Sequence, residues 1–223
     1  MKTLHYFFCF FILFLLFSCK QADAFATDGT DFSFNEQQPV NDSKISYFPR
    51  SIIGNYIDND STYLVVTNKQ FIYKWIRKSY LSFEDLEKLK DSSRIVGNRI
   101  YYLKDKFCEF RKLQDSIEIV STDYDTIFSI SENQTAKKIK SSIVLNSKDS
   151  IFWKIKLVSF DKNILTLKSL ATDEDLVRID SLSKTKVQKI DSTRNIIQLT
   201  RKEFKNMLKL KKFGYDQTFK KID

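Results

Sequence analysis

Gln70-Phe71-Ile72-Tyr73-Lys74-Trp75-Ile76-Arg77-Lys78-Ser79-Tyr80-Leu81 is the stretch that decides the fold. Phe71, Tyr73 and Trp75 fall on one face at a period of two, while Lys74 and Lys78 fall on the other, which is the signature of a half-buried β-strand. Working outward, the same period recurs in short runs bounded by turn-forming residues. Tyr63–Thr67 precedes it. Arg94-Ile95-Val96, Gly97-Asn98 and Arg99–Leu103 read as a tight hairpin, with Gly97 suited to the first central position of a II′ turn. Phe107–Leu113 and Ile117–Ser121 flank Gln114-Asp115-Ser116, and Thr126–Ile130 is expected as a further strand. A second block starts at Ser142. There Ile143-Val144-Leu145 leads to an expected turn at Asn146-Ser147-Lys148-Asp149. Ile151, Trp153, Ile155 and Leu157 then alternate with Lys154 and Lys156. Asp161-Lys162-Asn163 turns into Ile164–Leu170, and Asp191–Asn195 turns into Ile196–Leu199.

Helical signals are few. Ser82 caps Phe83-Glu84-Asp85-Leu86, with acids in the first turn. Asp173-Glu174-Asp175-Leu176 echoes that segment, and opens a short turn or helix before Leu176–Ile179. Thr200-Arg201-Lys202-Glu203 has the form of a capping box, with Phe204, Met207 and Leu208 as one apolar stripe and Phe213-Gly214 as a stop. The expected class is therefore mainly β, an antiparallel meander built as two related β-rich halves over 46–135 and 136–223 or as one merged sheet system. The first half carries a short helix near 83–90, and the second ends the chain in an amphipathic helix near 201–212.

The N-terminus carries an address. Lys2 precedes an unbroken run of twelve apolar residues, Tyr6 to Phe17. That is short of the roughly 20 a membrane span needs, and fits a secretory signal peptide over 1–18. Leu16-Phe17-Ser18-Cys19 resembles the bacterial lipobox. A small Ser18 opens the bond before Cys19 to a peptidase, and the Cys19 thiolate is the group that takes a diacylglyceryl chain. Membrane lipid on acylated Cys19 is thus the expected partner, because two or more acyl chains give stable attachment. Lys20–Asp42 is polar with no clear period, so 19–45 is expected as a lipidated cysteine and flexible tether. A coil of about 25 residues would reach roughly 25–30 Å.

Composition narrows the chemistry. The chain has one histidine, His5, and it lies in the leader. Serine-histidine and cysteine-histidine catalysis and histidine-ligated metals are thereby removed from the part after Cys19. No glycine-rich phosphate loop is present, and no cofactor or nucleic-acid partner is expected. After cleavage Cys19 carries lipid and Cys108 remains, so no internal disulfide forms; Cys108, in Lys-Phe-Cys-Glu-Phe, reads as a small buried hydrophobe. Charge is uneven: the net +9 of the chain resides mostly in Arg178–Asp223, which has 13 basic and 5 acidic residues. That segment is a candidate contact for an anionic envelope surface; the alternative is a solvated helix face.

Ile53-Gly54-Asn55-Tyr56 followed by Tyr63–Thr67 is similar to the opening of lipocalin-like β-rich modules in Bacteroidetes lipoproteins. Thr200–Lys205 through Phe213 resembles the closing helix of uncharacterised flavobacterial lipoproteins. The resemblance implies an envelope location, most simply the outer membrane, and a β-rich body. It implies no catalytic residues.

Four further clusters are candidates for chemistry. Asp58-Asn59-Asp60-Ser61-Thr62 offers oxygen ligands, but lacks the glycine and the later glutamate of a calcium loop and reads as a turn. Asp123-Tyr124-Asp125 and Thr172-Asp173-Glu174-Asp175 read likewise. Phe71, Tyr73 and Trp75 line either a sheet core or a ligand cavity. The expected function is a non-enzymatic envelope lipoprotein that binds a small apolar ligand or a protein partner. An accessory, inhibitor or immunity-type lipoprotein acting by protein contact is the alternative, and a carboxylate-dependent hydrolase the second alternative.

Overall fold

The computed structural model describes residues 31–222 except 91, 103, 105, 171, 183–186, 191–193 and 211–212. The leader and Cys19 lie outside the described residues. In chain order the strands and helices are β1 (Asp31–Phe34), β2 (Lys44–Ile45), β3 (Gly54–Ile57), β4 (Tyr63–Val66), β5 (Gln70–Leu81), α1 (Phe83–Lys90), β6 (Arg94–Val96), β7 (Arg99–Tyr101), β8 (Phe107–Lys112), β9 (Ile117–Ser129), β10 (Gln134–Ile139), β11 (Ser142–Asp149), β12 (Phe152–Asp161), β13 (Ile164–Ser169), α2 (Asp173–Leu182), β14 (Gln188–Lys189), β15 (Arg194–Ile197), α3 (Arg201–Met207) and β16 (Tyr215–Lys221). All sixteen strands join one sheet in the order β14-β15-β1-β12-β13-β16-β3-β4-β5-β9-β8-β7-β6, with β11, β10 and β2 branching from β12. β1 and β15 pair in parallel, and the other described pairs are antiparallel.

Three apolar clusters organise this sheet. The first is lined by one face of β3, β4, β5, β9, β10, β11, β12, β13 and β16, so these strands curl around a shared interior. Phe71 stands edge-on to Phe48 at 4.8 Å between ring centroids, and Tyr56, Leu165 and Phe219 are sealed from solvent there. The second cluster lies on the outer face of β10–β12. Val144, Ile155 and Leu157 meet Phe32 and Phe34 of β1, Ile179 of α2, and Phe204 and Met207 of α3. β11 and β12 are therefore apolar on both faces, as strands covered on both sides must be. The third cluster is smaller. Leu86 of α1 packs on Ile100 and Ile117, with Ile95, Cys108, Phe110 and Ile119 around them. β5 and β9 carry both the first and the third cluster. β5 is twelve residues long, which at about 3.3 Å per residue is roughly 40 Å. Its Phe71 end belongs to the body and its Leu81 end to an arm built from the far halves of β5 and β9 with β8, β7, β6 and α1.

Several expectations change. The segment expected as tether, 19–45, contributes β1 and β2, and Phe32 and Phe34 are core residues. The expected strand at Thr126–Ile130 is the end of β9, which runs unbroken from Ile117 because β5 pairs with it along the whole length. The turn expected at Asn146–Asp149 is strand; the reversal comes at Ser150, where φ is 58°. Asn146 is sealed from solvent, accepts a hydrogen bond from the Gln38 amide at 2.6 Å and donates to the Gln38 carbonyl at 2.8 Å. Leu176–Ile179 lies inside α2 rather than after it. The capping box is present at Thr200 and Glu203, but the helix expected near 201–212 ends at Met207. The chain closes not in a helix but in β16, which pairs with β13 and with β3 and stitches the late strands to the early ones. The boundary expected between 135 and 136 falls within β10.

Candidate functional site

The arm has two faces with different fates. Strand alternation sends Ile95, Ile100, Cys108, Phe110, Ile117 and Ile119 toward α1, where they are covered. The intervening residues stand on the opposite face, which nothing covers among the described residues. Register aligns them in rows across the strands. Arg94 lies opposite Tyr101, and Tyr101 opposite Phe107. Val96, Arg99, Glu109, Val120 and Lys78 make the next row. Arg111, Glu118 and Tyr80 make the third. Ile76 and Tyr124 continue the same face toward the body, opposite Thr122 and Lys74.

The face is aromatic and cationic at once. Tyr124 is 64% exposed, Tyr80 60% and Val96 55%, which is far more apolar surface in one place than scattered single residues would leave. The Tyr101 and Phe107 rings are 5.5 Å apart. The Arg94 guanidinium sits 4.1 Å over the Tyr101 ring, and that of Arg99 4.4 Å over Phe107. A guanidinium stacked this way keeps its in-plane N–H donors pointing outward. Tyr102, Phe107, Val120 and Tyr124 border a trough of about 500 Å³ that also takes in Lys106, Glu109, Thr122 and Asp123.

Glu118 holds the face in register. Its carboxylate meets Arg111 at 2.9 Å and Lys78 at 3.3 Å, and only 7% of the side chain is exposed. Burial pushes its pKa up, but the hydrogen bonds and charges of Lys78 and Arg111 outweigh that and leave it below the usual carboxylate range. Arg99 has a longer contact with Glu109 at 3.4 Å. Arg94 makes its close contact with a ring rather than a carboxylate.

The other candidates fall elsewhere. Asp58–Thr62 is the β3–β4 turn: the Asp58 carboxylate accepts from the amides of Asp60 and Thr62 at 3.0 and 2.8 Å, which is a turn-forming arrangement. Asp123-Tyr124-Asp125 is not a turn but the middle of β9, opposite Trp75, Lys74 and Tyr73. Thr172 caps α2 by accepting from the Asp175 amide at 3.2 Å, and buried Asp175 accepts from the Gly214 amide at 2.9 Å. Among the described residues no three of His, Cys, Asp and Glu converge to hold a metal ion. Phe71 and Tyr73 are core; the Tyr73 hydroxyl donates to Gln217 at 2.8 Å, and Trp75 stacks beyond them at the body's edge. Cys108 packs against the third cluster, and burial raises its thiol pKa, as expected of a structural thiol. The described basic residues of Arg178–Asp223 do not form one helical face. Arg201 pairs with Asp42, Lys221 donates to the Ile53 carbonyl at 2.8 Å, and others are spread over β14, β15 and β16.

A second concavity, about 510 Å³, lies between Asn35–Asn41 and Gln198–Thr200. Lys137 is buried beside it and donates to the Pro39 carbonyl at 2.8 Å, with its pKa lowered by burial.

Sequence reasoning missed the arm face although every residue of it alternates visibly. Between Arg94 and Tyr124 both faces of each strand carry large apolar or aromatic side chains. The charges fall on one face and mark it as the wetter one, but only the position of α1 shows that the rings of that face are left uncovered. No family model matches the chain, and no curated protein and no solved structure matches it.

Proposed function

We propose that this protein is a lipid-anchored, non-enzymatic lipoprotein of the bacterial envelope that binds a protein partner through the open face of its arm. The observation that carries the reading is that face: tyrosines, stacked arginines and a shallow trough on a sheet whose other side is covered. Tyrosine and arginine are the residues in which interface binding energy concentrates. A small apolar ligand fits less well. The interior of the curled body is filled by Phe48, Tyr56, Phe71, Phe128 and Phe219, and the two concavities described are open and of mixed polarity. Anchoring rests on the Leu16-Phe17-Ser18-Cys19 motif.

Two experiments test this. Radiolabelled palmitate labels the wild type and not Cys19→Ala; label on the alanine variant overturns the anchor. A photo-crosslinking amino acid at position 124, expressed in the native host, gives a discrete heavier adduct, while the same group at exposed Tyr47 on the body does not. Equal adducts at both positions, or none at 124, would overturn the assignment of the surface.

A further inference from the structure

Resting on that reading, we propose that the arm face recognises an acidic polypeptide segment, whose carboxylates dock on Arg94 and Arg99 while its apolar side chains lie on the neighbouring rings and in the trough. Charge complementarity carries the choice of occupant. The three rows hold Lys78, Arg94, Arg99 and Arg111 against Glu109 and Glu118. Glu118 is already shared by Lys78 and Arg111, and Glu109 contacts Arg99 at 3.4 Å, so each end of the face keeps one positive charge in excess; at the β6–β7 end Arg94 makes its close contact with a ring. There Arg94 and Arg99 lie on rings 5.5 Å apart. The rings cover one side of each guanidinium and fix its plane, which lowers the entropy lost when a carboxylate engages the N–H donors. β6 is also the last strand of the sheet, and among the described residues no strand pairs with its outer edge, which can align an extended chain.

The same face argues against an anionic membrane as its occupant. Glu109 stands in the middle row and is half exposed, where it would meet phosphate headgroups with like charge. A peptide can place a neutral or basic residue opposite it.

The test uses the acylated full-length protein in detergent and a fluorescent peptide of alternating Glu and Tyr, with an alternating Lys-Tyr peptide as control. The Glu peptide binds and the Lys peptide does not. Binding weakens as salt screens the exposed charges. Arg94→Glu/Arg99→Glu loses about tenfold or more in affinity, as expected for removal of two charge-assisted contacts, whereas Lys202→Glu on α3 keeps wild-type affinity. Arg94→Gln/Arg99→Gln, which keeps the stems over the rings, loses an intermediate amount, and an unchanged thermal melt shows that the arm is still folded. Failure of the Glu peptide to bind, or equal binding by the reversed variant, overturns the acidic chemistry. So does capture of vesicles of phosphatidylglycerol and phosphatidylethanolamine that depends on Arg94 and Arg99 while the peptide is ignored. If the position-124 adduct persists when the Glu peptide fails, the surface stands and its acidic specificity falls; loss of both removes the surface as well.

Discussion

Replacing Asn146 by alanine removes one amide group and unfastens two distant parts of the chain. The Asn146 side chain accepts from the Gln38 N–H at 2.6 Å and donates to the Gln38 carbonyl at 2.8 Å, across 108 residues of sequence. Gln38 and Asn146 are both buried, so alanine leaves a backbone donor and a backbone acceptor facing protein rather than water. Each such orphan costs about 1–3 kcal/mol, and a water entering the space left by the amide recovers part of it. The expected loss is about 2–4 kcal/mol, a large fraction of the roughly 5–15 kcal/mol that holds a domain folded. In equilibrium urea unfolding, with a slope of about 2 kcal/mol per molar, that shifts the midpoint down by roughly 1–2 M. Hydrogen exchange should show the loss concentrated in Phe32–Gln38 and β11. Exposed Asn133→Ala, a control that removes the same group, moves the midpoint little. If the two variants shift it equally, Asn146 is not the fastener argued here.

Other outcomes follow from the same structure. Phe34→Ala, which empties a site at the centre of the second cluster, lowers stability by about 3–5 kcal/mol in the same urea assay; a tether residue in that place would cost nothing measurable. Gly214 has φ of 71°, and a Cβ there would sit 2.6 Å from the Ser169 carbonyl oxygen. Gly214→Ala therefore costs about 2 kcal/mol or more, read as a lowered thermal midpoint. The Arg201 guanidinium, hydrogen-bonded to Asp42, holds that carboxyl below its ordinary value of 3.8. The contribution is present above the unfolded value and is lost as pH falls through the lower folded one. Asp42→Asn should thus be less stable than wild type at neutral pH, by no more than about 1 kcal/mol because Arg201 is half exposed. Titrating unfolding downward from pH 6, the difference shrinks as pH falls below the ordinary carboxyl value of 3.8 and through the lowered folded one; a difference that does not shrink on acidification would contradict the pairing.

Local chemistry was a good guide where each segment's own side chains decide its state. Gln70–Leu81 reads as a strand and is one, because its alternation matches the face that packs on Phe48 and Phe128. Ser82, Gly97 and the Thr200–Glu203 box also behave as read: the Asp85 amide donates to Ser82 at 3.0 Å, φ at Gly97 is 60°, and the box closes in both directions. Asn146-Ser147-Lys148-Asp149 misleads for a definite reason. All four residues favour turns, but Asn146 gives its amide to Gln38, and pairing with β10 and β12 outweighs local preference. β16 was hidden because Phe219 is its only fully buried side chain, with polar residues before it and two lysines after it. Its place comes from hydrogen bonds to β13 and β3, which no local pattern records.

The sequence by itself determined the proposal of a leader with lipid on Cys19, the absence of histidine after His5, and the positions of most strands and caps. These rest on residue identity and short-range period, which the chain carries wherever it folds. Tertiary structure alone decided that Asp31–Phe34 belongs to the core, that the closing segment is a central strand, and that the arm has one covered face and one open face. Those outcomes depend on which apolar surface finds a partner, within the same stretch of chain for the arm and more than a hundred residues away for Asp31–Phe34. Between Arg94 and Tyr124 strand alternation puts Ile95, Ile100, Phe110, Ile117 and Ile119 on one face and the charged residues on the other, and packing of α1 on the aliphatic face leaves Tyr101, Phe107 and their arginines on the open one.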